Sequence, residues 1–313
     1  MKRMLCISLV ILSLLGLTCC ASKNKGEEKI SVVCTIFPQY DVVRQIAGEK
    51  VDLKMLLPYG MESHDYRLEN LSARDMQMII NADVFIYVGG ESDTTWVEQI
   101  KDMVGEKNVR WLSLLEMTDA LLRDGLHHEH SYDHTNDHGE VDEHVWTSPS
   151  RMLEITDVIC EMLVEVDPKN CDAYLSSAEE YKKELRILDE GFKNLNGMNG
   201  ETLVFADRFP FRYLFNDYHL EYVAAFDGCG TAVDPSALQI SKICETAKSE
   251  NSKAVYYIEN SNVSYAKTVA DTVGAEYKML HSCHNVTRRE FLEGVTYVSL
   301  MQKNLNILME AAK

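Results

Sequence analysis

Positive charge is scarce in this chain. Its 313 residues carry 31 Lys+Arg against 49 Asp+Glu, a formal net charge of −18. No basic face is available for phosphates, so nucleic-acid binding is excluded as a function. Electrostatic docking on anionic lipid is excluded on the same ground. There is no CxxC pair among the nine cysteines, which rules out a cysteine zinc knuckle. HExxH is missing, and the reversed HxxEH pattern fails because position 140 is Glu140. There is no GxxxxGK[ST] loop to hold a nucleotide. After the N-terminus no apolar run reaches the roughly 20 residues that a spanning helix needs.

What the chain does have begins at its start. Residues 1–20 read MKRMLCISLVILSLLGLTCC. Lys2 and Arg3 form a positive start, and positions 4–17 are almost wholly apolar but too short to span. Leu17-Thr18-Cys19-Cys20 resembles a bacterial lipobox. We expect residues 1–19 to be a signal peptide, Cys20 to be lipidated with Cys19 as the fallback, and residues 20–29 to be a polar tether. The remainder is then an extracytoplasmic domain held at the outer face of the membrane by its lipid. Its net charge would be still more negative than −18, because Lys2 and Arg3 leave with the signal.

Six of the ten histidines (His127, His128, His130, His134, His138 and His144) fall within eighteen residues. Residues 125–139 show no hydrophobic periodicity and mix His with Asp and Glu. The first five histidines are read as an accessory metal-gathering loop, against the plainer reading of a solvated loop.

From residue 30 onward short β-rich runs alternate with helical patterns. Strands are expected at Ile30–Phe37, Val51–Leu57, Asp83–Val88 and Val109–Leu112. The second half offers Thr202–Phe205, Tyr222–Phe226, Ala254–Ile258 and Tyr277–Leu280. That alternation indicates βαβ units and mainly parallel sheets. The expected fold class is α/β, with two similar lobes, each a mainly parallel sheet flanked by helices. We place an N-terminal lobe at 30–166, a long rigid connecting helix at 167–197, and a C-terminal lobe at 198–313. The final helix is expected over Arg288–Ala312. A cleft between two such lobes is a common ligand site.

Loops that follow strands are the places to look for chemistry. His64 follows the second strand, His144 follows the His-rich loop, and His281 follows the last strand, with His284 close by. Asp207 follows the first strand of the second lobe, and Glu259 follows Ala254–Ile258. Each histidine alone is weak evidence. Three together suit Zn²⁺, which binds imidazole nitrogen at roughly 2.0–2.1 Å and leaves a fourth position for carboxylate or water. We expect His64, His144 and His281 as metal ligands, with Asp207 or Glu259 as a possible fourth. Glu62 and Asp65 are placed to orient His64, and Tyr66 and Trp146 to wall the cleft. Cys229 and Cys283 lie in loops of the second half, where an extracytoplasmic setting permits a disulfide between them.

These motifs resemble the metal-binding solute-binding lipoproteins of bacterial ABC transporters, which serve zinc or manganese uptake. The likeness runs through Val32–Phe37, Gly60-x-x-x-His64-Asp65-Tyr66, Asp142-Glu143-His144-Val145-Trp146, Asp167-Pro168-Lys169-Asn170 and the closing helix. The His-rich loop is similar to the zinc-uptake branch. The resemblance implies one metal in the interlobe cleft, Zn²⁺ as cargo, and delivery to a membrane permease by a monomer that is not an enzyme. His64 and His144 match the family's first two ligand positions. Ala206 stands where the third, usually His or Glu, is expected, and His281 stands at the fourth, usually Asp. The alternatives are a manganese-specific member, a zinc-dependent hydrolase using metal-activated water, and a cell-adhesion lipoprotein whose metal is structural. Imidazole favours zinc, because manganese prefers more oxygen.

Overall fold

The computed structural model describes residues 29–104, 109–118, 141–195, 201–226 and 235–311. The signal, Cys20, tether residues 20–28, the five accessory histidines and Cys229 all lie outside these residues.

The first sheet contains β1 (Ser31–Cys34), β2 (Asp52–Met55), β3 (Val84–Tyr87) and β4 (Arg110–Ser113), in the order β2-β1-β3-β4. Every pairing is parallel. The central strand β3, Val-Phe-Ile-Tyr, is buried along its whole length, as a parallel strand covered on both faces must be. The edge strand β2, Asp-Leu-Lys-Met, is partly exposed. Helices α1 (Phe37–Ala47), α2 (Ala73–Ile80) and α3 (Thr94–Val104) connect these strands.

The second sheet repeats the plan. Strands β5 (Thr202–Phe205), β6 (Glu221–Ala224), β7 (Ala254–Ile258) and β8 (Glu276–Leu280) follow the order β6-β5-β7-β8, again all parallel. Its helices are α6 (Arg212–Asp217), α7 (Ala237–Ser249), α8 (Val263–Val273), α9 (Arg288–Leu292) and α10 (Tyr297–Ala311). The α/β architecture with two similar lobes is therefore as expected.

Between the sheets run α4 (Pro149–Val166) and α5 (Cys171–Lys193). Proline at the first turn of α4 suits that position, and Asp167-Pro168 ends it, since proline cannot continue a helix. The 23 residues of α5 give a rod about 34 Å long. Its buried face holds Tyr174, Ala178, Tyr181, Leu185, Leu188 and Phe192. Tyr218 of the second lobe donates to Asp189 on this helix at 2.8 Å, and Lys182 pairs with Asp157 of α4 at 2.5 Å.

The expected closing helix is two helices. Gly294 adopts φ +76°, a left-handed conformation that glycine tolerates and other residues avoid. It terminates α9, and Thr296 and Ser299 then cap one another's backbone N–H at 3.1 Å to start α10. The break steers α10 back to the first lobe. Tyr297 N–H donates to Asp41 at 2.6 Å, and Arg44 donates to Val295 O at 2.5 Å.

Candidate metal centre

Loops at the carboxyl ends of the strands converge between the two sheets, as the topology of open parallel sheets dictates. The loop after β2 carries His64 on a short 3₁₀ turn, Ser63–Asp65, with Glu62 accepting from Ser63 N–H at 3.0 Å. His144 precedes a second 3₁₀ turn, Val145–Thr147, and its carbonyl accepts from both the N–H and the hydroxyl of Thr147. The loop after β8 supplies the third imidazole, and that imidazole is His284. Ligand atoms of His64, His144 and His284 lie within 4.8 Å of one another, and all three side chains are buried.

His281, the expected third ligand, is outside this cluster. Its Nδ1 accepts from Cys283 N–H at 3.0 Å. Glu259 Oε1 lies 3.4 Å from the same nitrogen, so His281 Nδ1 is engaged within its own loop and the neighbouring strand end. Asn304 clamps the His281 backbone by accepting from its N–H and donating to its carbonyl, both at 2.8 Å. Cys283 then turns the chain with φ +64°. The residue three positions after His281 is thereby the one that enters the cluster. Phe37 N–H donates to His284 O at 3.2 Å, and Asn285 donates to Pro58 O at 2.6 Å and Met61 O at 2.9 Å. These bonds tie the second-lobe loop to the first-lobe segment leading into His64.

Each imidazole is backed on its Nδ1 side. Asp142 holds His144 Nδ1 at 2.8 Å and also accepts His144 N–H at 2.9 Å. Glu143 Oε1 lies 3.5 Å from His64 Nδ1, while its Oε2 accepts Ser92 N–H at 2.9 Å. Ser282 Oγ is 2.6 Å from His284 Nδ1. On the opposite side of the rings, His64 Nε2 and His284 Nε2 are buried with no hydrogen-bond partner among the described residues. A buried polar atom without a partner is costly, and a cation accepting both lone pairs removes that cost. Two nitrogens on one tetrahedral zinc are about 3.3 Å apart, so a contraction of the cluster would let the three imidazoles fill three of the four positions.

Protonation states favour a cation here. Burial, then the neighbouring His144 and His64 rings, pushes His284 well below the ordinary histidine value. Burial lowers His64 as well, although Glu143 acts in the other direction. Burial works to raise Asp142, yet the His144 ring, its hydrogen bonds and the Arg212 guanidinium hold it below the usual carboxylate value. His64 and His284 are thus held towards their neutral form, and Asp142 gives His144 an anionic backing. Asp93, also fully buried, is pushed up to about 7 by burial and then by Glu143.

Neither expected fourth ligand is in the cluster. Asp207 accepts from Arg208 N–H at 2.7 Å and from Ile258 N–H at 3.0 Å. Both oxygens of Glu259 accept from Ser282, one from its N–H at 2.7 Å and one from its hydroxyl. Ala206 is buried in the apolar core of the second lobe and offers no donor atom. Glu62 faces Arg208 across the lobes at 3.4 Å, and Glu143 occupies the position at His64 expected for Glu62 or Asp65. Glu62, Asp65 and Asp207 instead line a neighbouring cavity of about 220 Å³. Trp146 is buried with its ring edge-on to His144 and His284 at 5.4 and 5.0 Å, and Tyr66 packs on Trp96 at 6.0 Å. Cys283 is a free, buried thiol. Sequence reasoning missed Glu143, Ser282 and His284 as functional residues. A signal existed for His284 only as a second histidine in the same loop.

A sequence model of the family ZnuA, zinc-uptake complex component A, periplasmic, matches residues 32–311. The chain belongs to the ZnuA family. The zinc-binding lipoprotein AdcA of Streptococcus pneumoniae serotype 4 (strain ATCC BAA-334 / TIGR4) is 28% identical over 309 residues, covering 97% of this chain and 60% of AdcA. The chain thus spans only about three-fifths of that relative. The high-affinity zinc uptake system protein ZnuA of Bacillus subtilis (strain 168) is 28% identical over 306 residues, 95% of this chain and 94% of its own length. Among solved structures, the Zn(II)-bound ZnuA-like domain of Streptococcus pneumoniae AdcA superposes with a TM-score of 0.74 at 28% identity, covering 91% of this chain and 99% of that domain. The metal-dependent lipoprotein YcdH of Bacillus subtilis gives 0.75 at 27% identity, covering 90% and 99%.

Proposed function

We propose that this ZnuA-family chain is an extracytoplasmic zinc-binding protein that captures Zn²⁺ between its lobes and delivers it to an ABC importer. The observation that carries this reading is the buried convergence of His64, His144 and His284, with unpartnered Nε2 atoms on His64 and His284. Three buried imidazoles match zinc, whereas manganese calls for more carboxylate and oxygen. Names of relatives support the same reading, since AdcA is a zinc-binding lipoprotein and the Bacillus subtilis relative a zinc uptake protein. Cys20 carries the lipid, and the chain is anchored by it as a monomer that meets a permease. Water, or a carboxylate moved into place, completes the shell. Residues 125–139 gather further zinc weakly. The protein turns over no substrate.

The test is calorimetric titration of chelator-stripped protein. One tight Zn²⁺ is expected, with weaker equivalents that vanish when residues 125–139 are deleted. Replacing His64, His144 and His284 by alanine together abolishes the tight site. Tighter binding of Mn²⁺ than of Zn²⁺ overturns the zinc assignment, and zinc-dependent esterase or peptidase turnover overturns the non-enzymatic one.

A further inference from the structure

Glu259 sits just beyond β7 and does not reach the histidine cluster, yet it is wired to it. Its Oε2 accepts Ser282 N–H at 2.7 Å and its Oε1 accepts the Ser282 hydroxyl. An ionised carboxylate has no proton to give. The single hydroxyl hydrogen of Ser282 is therefore committed to Glu259. His284 Nδ1 lies 2.6 Å from that hydroxyl oxygen, and with the hydroxyl hydrogen spent, Nδ1 must be the donor. A neutral ring protonated on Nδ1 carries its lone pair on Nε2. His284 Nε2 is buried and has no hydrogen-bond partner among the described residues. His281, three residues earlier, is wired the opposite way, accepting at Nδ1 from Cys283 N–H.

We propose that Glu259 is a positioning residue that acts through Ser282, fixing His284 as the Nδ1-protonated tautomer and so presenting Nε2 to the cargo metal. The inference rests on the zinc-binding reading above for its consequence, but the tautomer is a property of the metal-free protein. The same wiring explains why, of two histidines on one loop, only His284 is set as a ligand.

Glu259→Gln is the informative variant, because it keeps the shape and reverses the wiring. With its amide oxygen accepting Ser282 N–H, the NH₂ group faces Ser282 Oγ as a donor. The hydroxyl hydrogen is then released to His284 Nδ1, and the ring proton moves to Nε2. The opposite placement of the amide sets NH₂ against the Ser282 N–H, donor against donor. The experiment is two-bond ¹⁵N–¹H imidazole spectroscopy of metal-free wild type, Glu259→Gln and Ser282→Ala, with zinc affinity measured on each. Wild type should show His284 protonated on Nδ1 and His281 on Nε2. Glu259→Gln should move the His284 proton to Nε2 and weaken zinc by about 10- to 100-fold. Should Glu259→Gln fail to fold, Ser282→Ala, which removes only a hydroxyl, must also lose the Nδ1 preference and about tenfold in affinity. An Nε2-protonated His284 in wild type, or an unchanged tautomer in the variants, overturns the proposal. A reversed tautomer in a protein whose wild type holds no tight zinc leaves the relay standing and removes the zinc reading instead.

Discussion

At the scale of single residues, His64 and His144 were legible because each follows a strand or precedes a helix in a polar, turn-rich segment. The choice between His281 and His284 was not. It depends on the left-handed turn at Cys283 and on a backbone N–H that occupies His281 Nδ1, and neither has a residue-type signature. Gly90 is a second case. A Cβ there would lie 2.2 Å from Glu143 Oε2 and 2.4 Å from Glu143 Cβ, so the glycine makes room for the carboxylate behind His64. Gly90→Ala should displace Glu143 and weaken zinc by about tenfold or more, read by competition with a chelating dye; unchanged affinity would remove Glu143 from the account. The depressed histidines also set a pH dependence. Free histidine in the unfolded chain titrates near 6.5, and His64 and His284 lie below it when folded. Below about pH 6.5 the unfolded state binds more protons, so this contribution is present above that pH and is lost as pH falls, by up to about 1.4 kcal/mol per pH unit for each imidazole. Asp93 has the opposite sign, its contribution being lost as pH rises from about 4 towards 7, but it is common to wild type and a His284→Gln variant. Melting temperatures of the two metal-free proteins between pH 7.5 and 5.5 should show a shallower acid limb for the variant, and parallel curves would contradict the buried neutral His284.

At the scale of elements, the alternation of strands and helices was readable because parallel strands leave long apolar runs and their helices leave a 3.6-residue period. Boundaries moved where capping decided them. The run expected as one strand from Ile30 to Phe37 is β1 ending at Cys34 and α1 beginning at Phe37. The closing helix splits at Gly294 because the chain must turn to bring Tyr297 N–H to Asp41. That contact joins the last helix to the first. Burial raises Asp41, with Arg44 working against it, so its carboxylate is worth keeping only while both partners are in place. Asp41→Ala leaves the Tyr297 N–H buried without an acceptor and the Arg44 guanidinium without its carboxylate. A loss of about 2 kcal/mol or more is expected in denaturant unfolding, and a loss below about 0.5 kcal/mol would show that other contacts hold α10 in place.

At the scale of the molecule, the site belongs to neither lobe alone. His64 and His144 come from the first lobe's side and His284 from the second, and Trp146 donates to Ser282 O at 2.9 Å across the same boundary. A net charge of −18 over the whole chain gives a field that draws divalent cations towards the molecule. The two-lobe plan could be read from the sequence, but which loop residues meet between the lobes could not, because that depends on contacts such as Asn285 to Pro58 and Met61 that span more than 220 positions of chain. Metal that bridges the lobes should stabilise them together. At free zinc 100-fold above Kd the gain is about 2.7 kcal/mol, visible as a rise of several degrees in the melting temperature that is absent when His284 is alanine. The most direct measurement is anomalous diffraction at the zinc edge from zinc-loaded crystals. The account predicts a single buried peak about 2.0–2.1 Å from Nε2 of His64, His144 and His284, with His281 still accepting from Cys283 N–H. A peak on His281, or one that leaves His284 outside the shell, would contradict it.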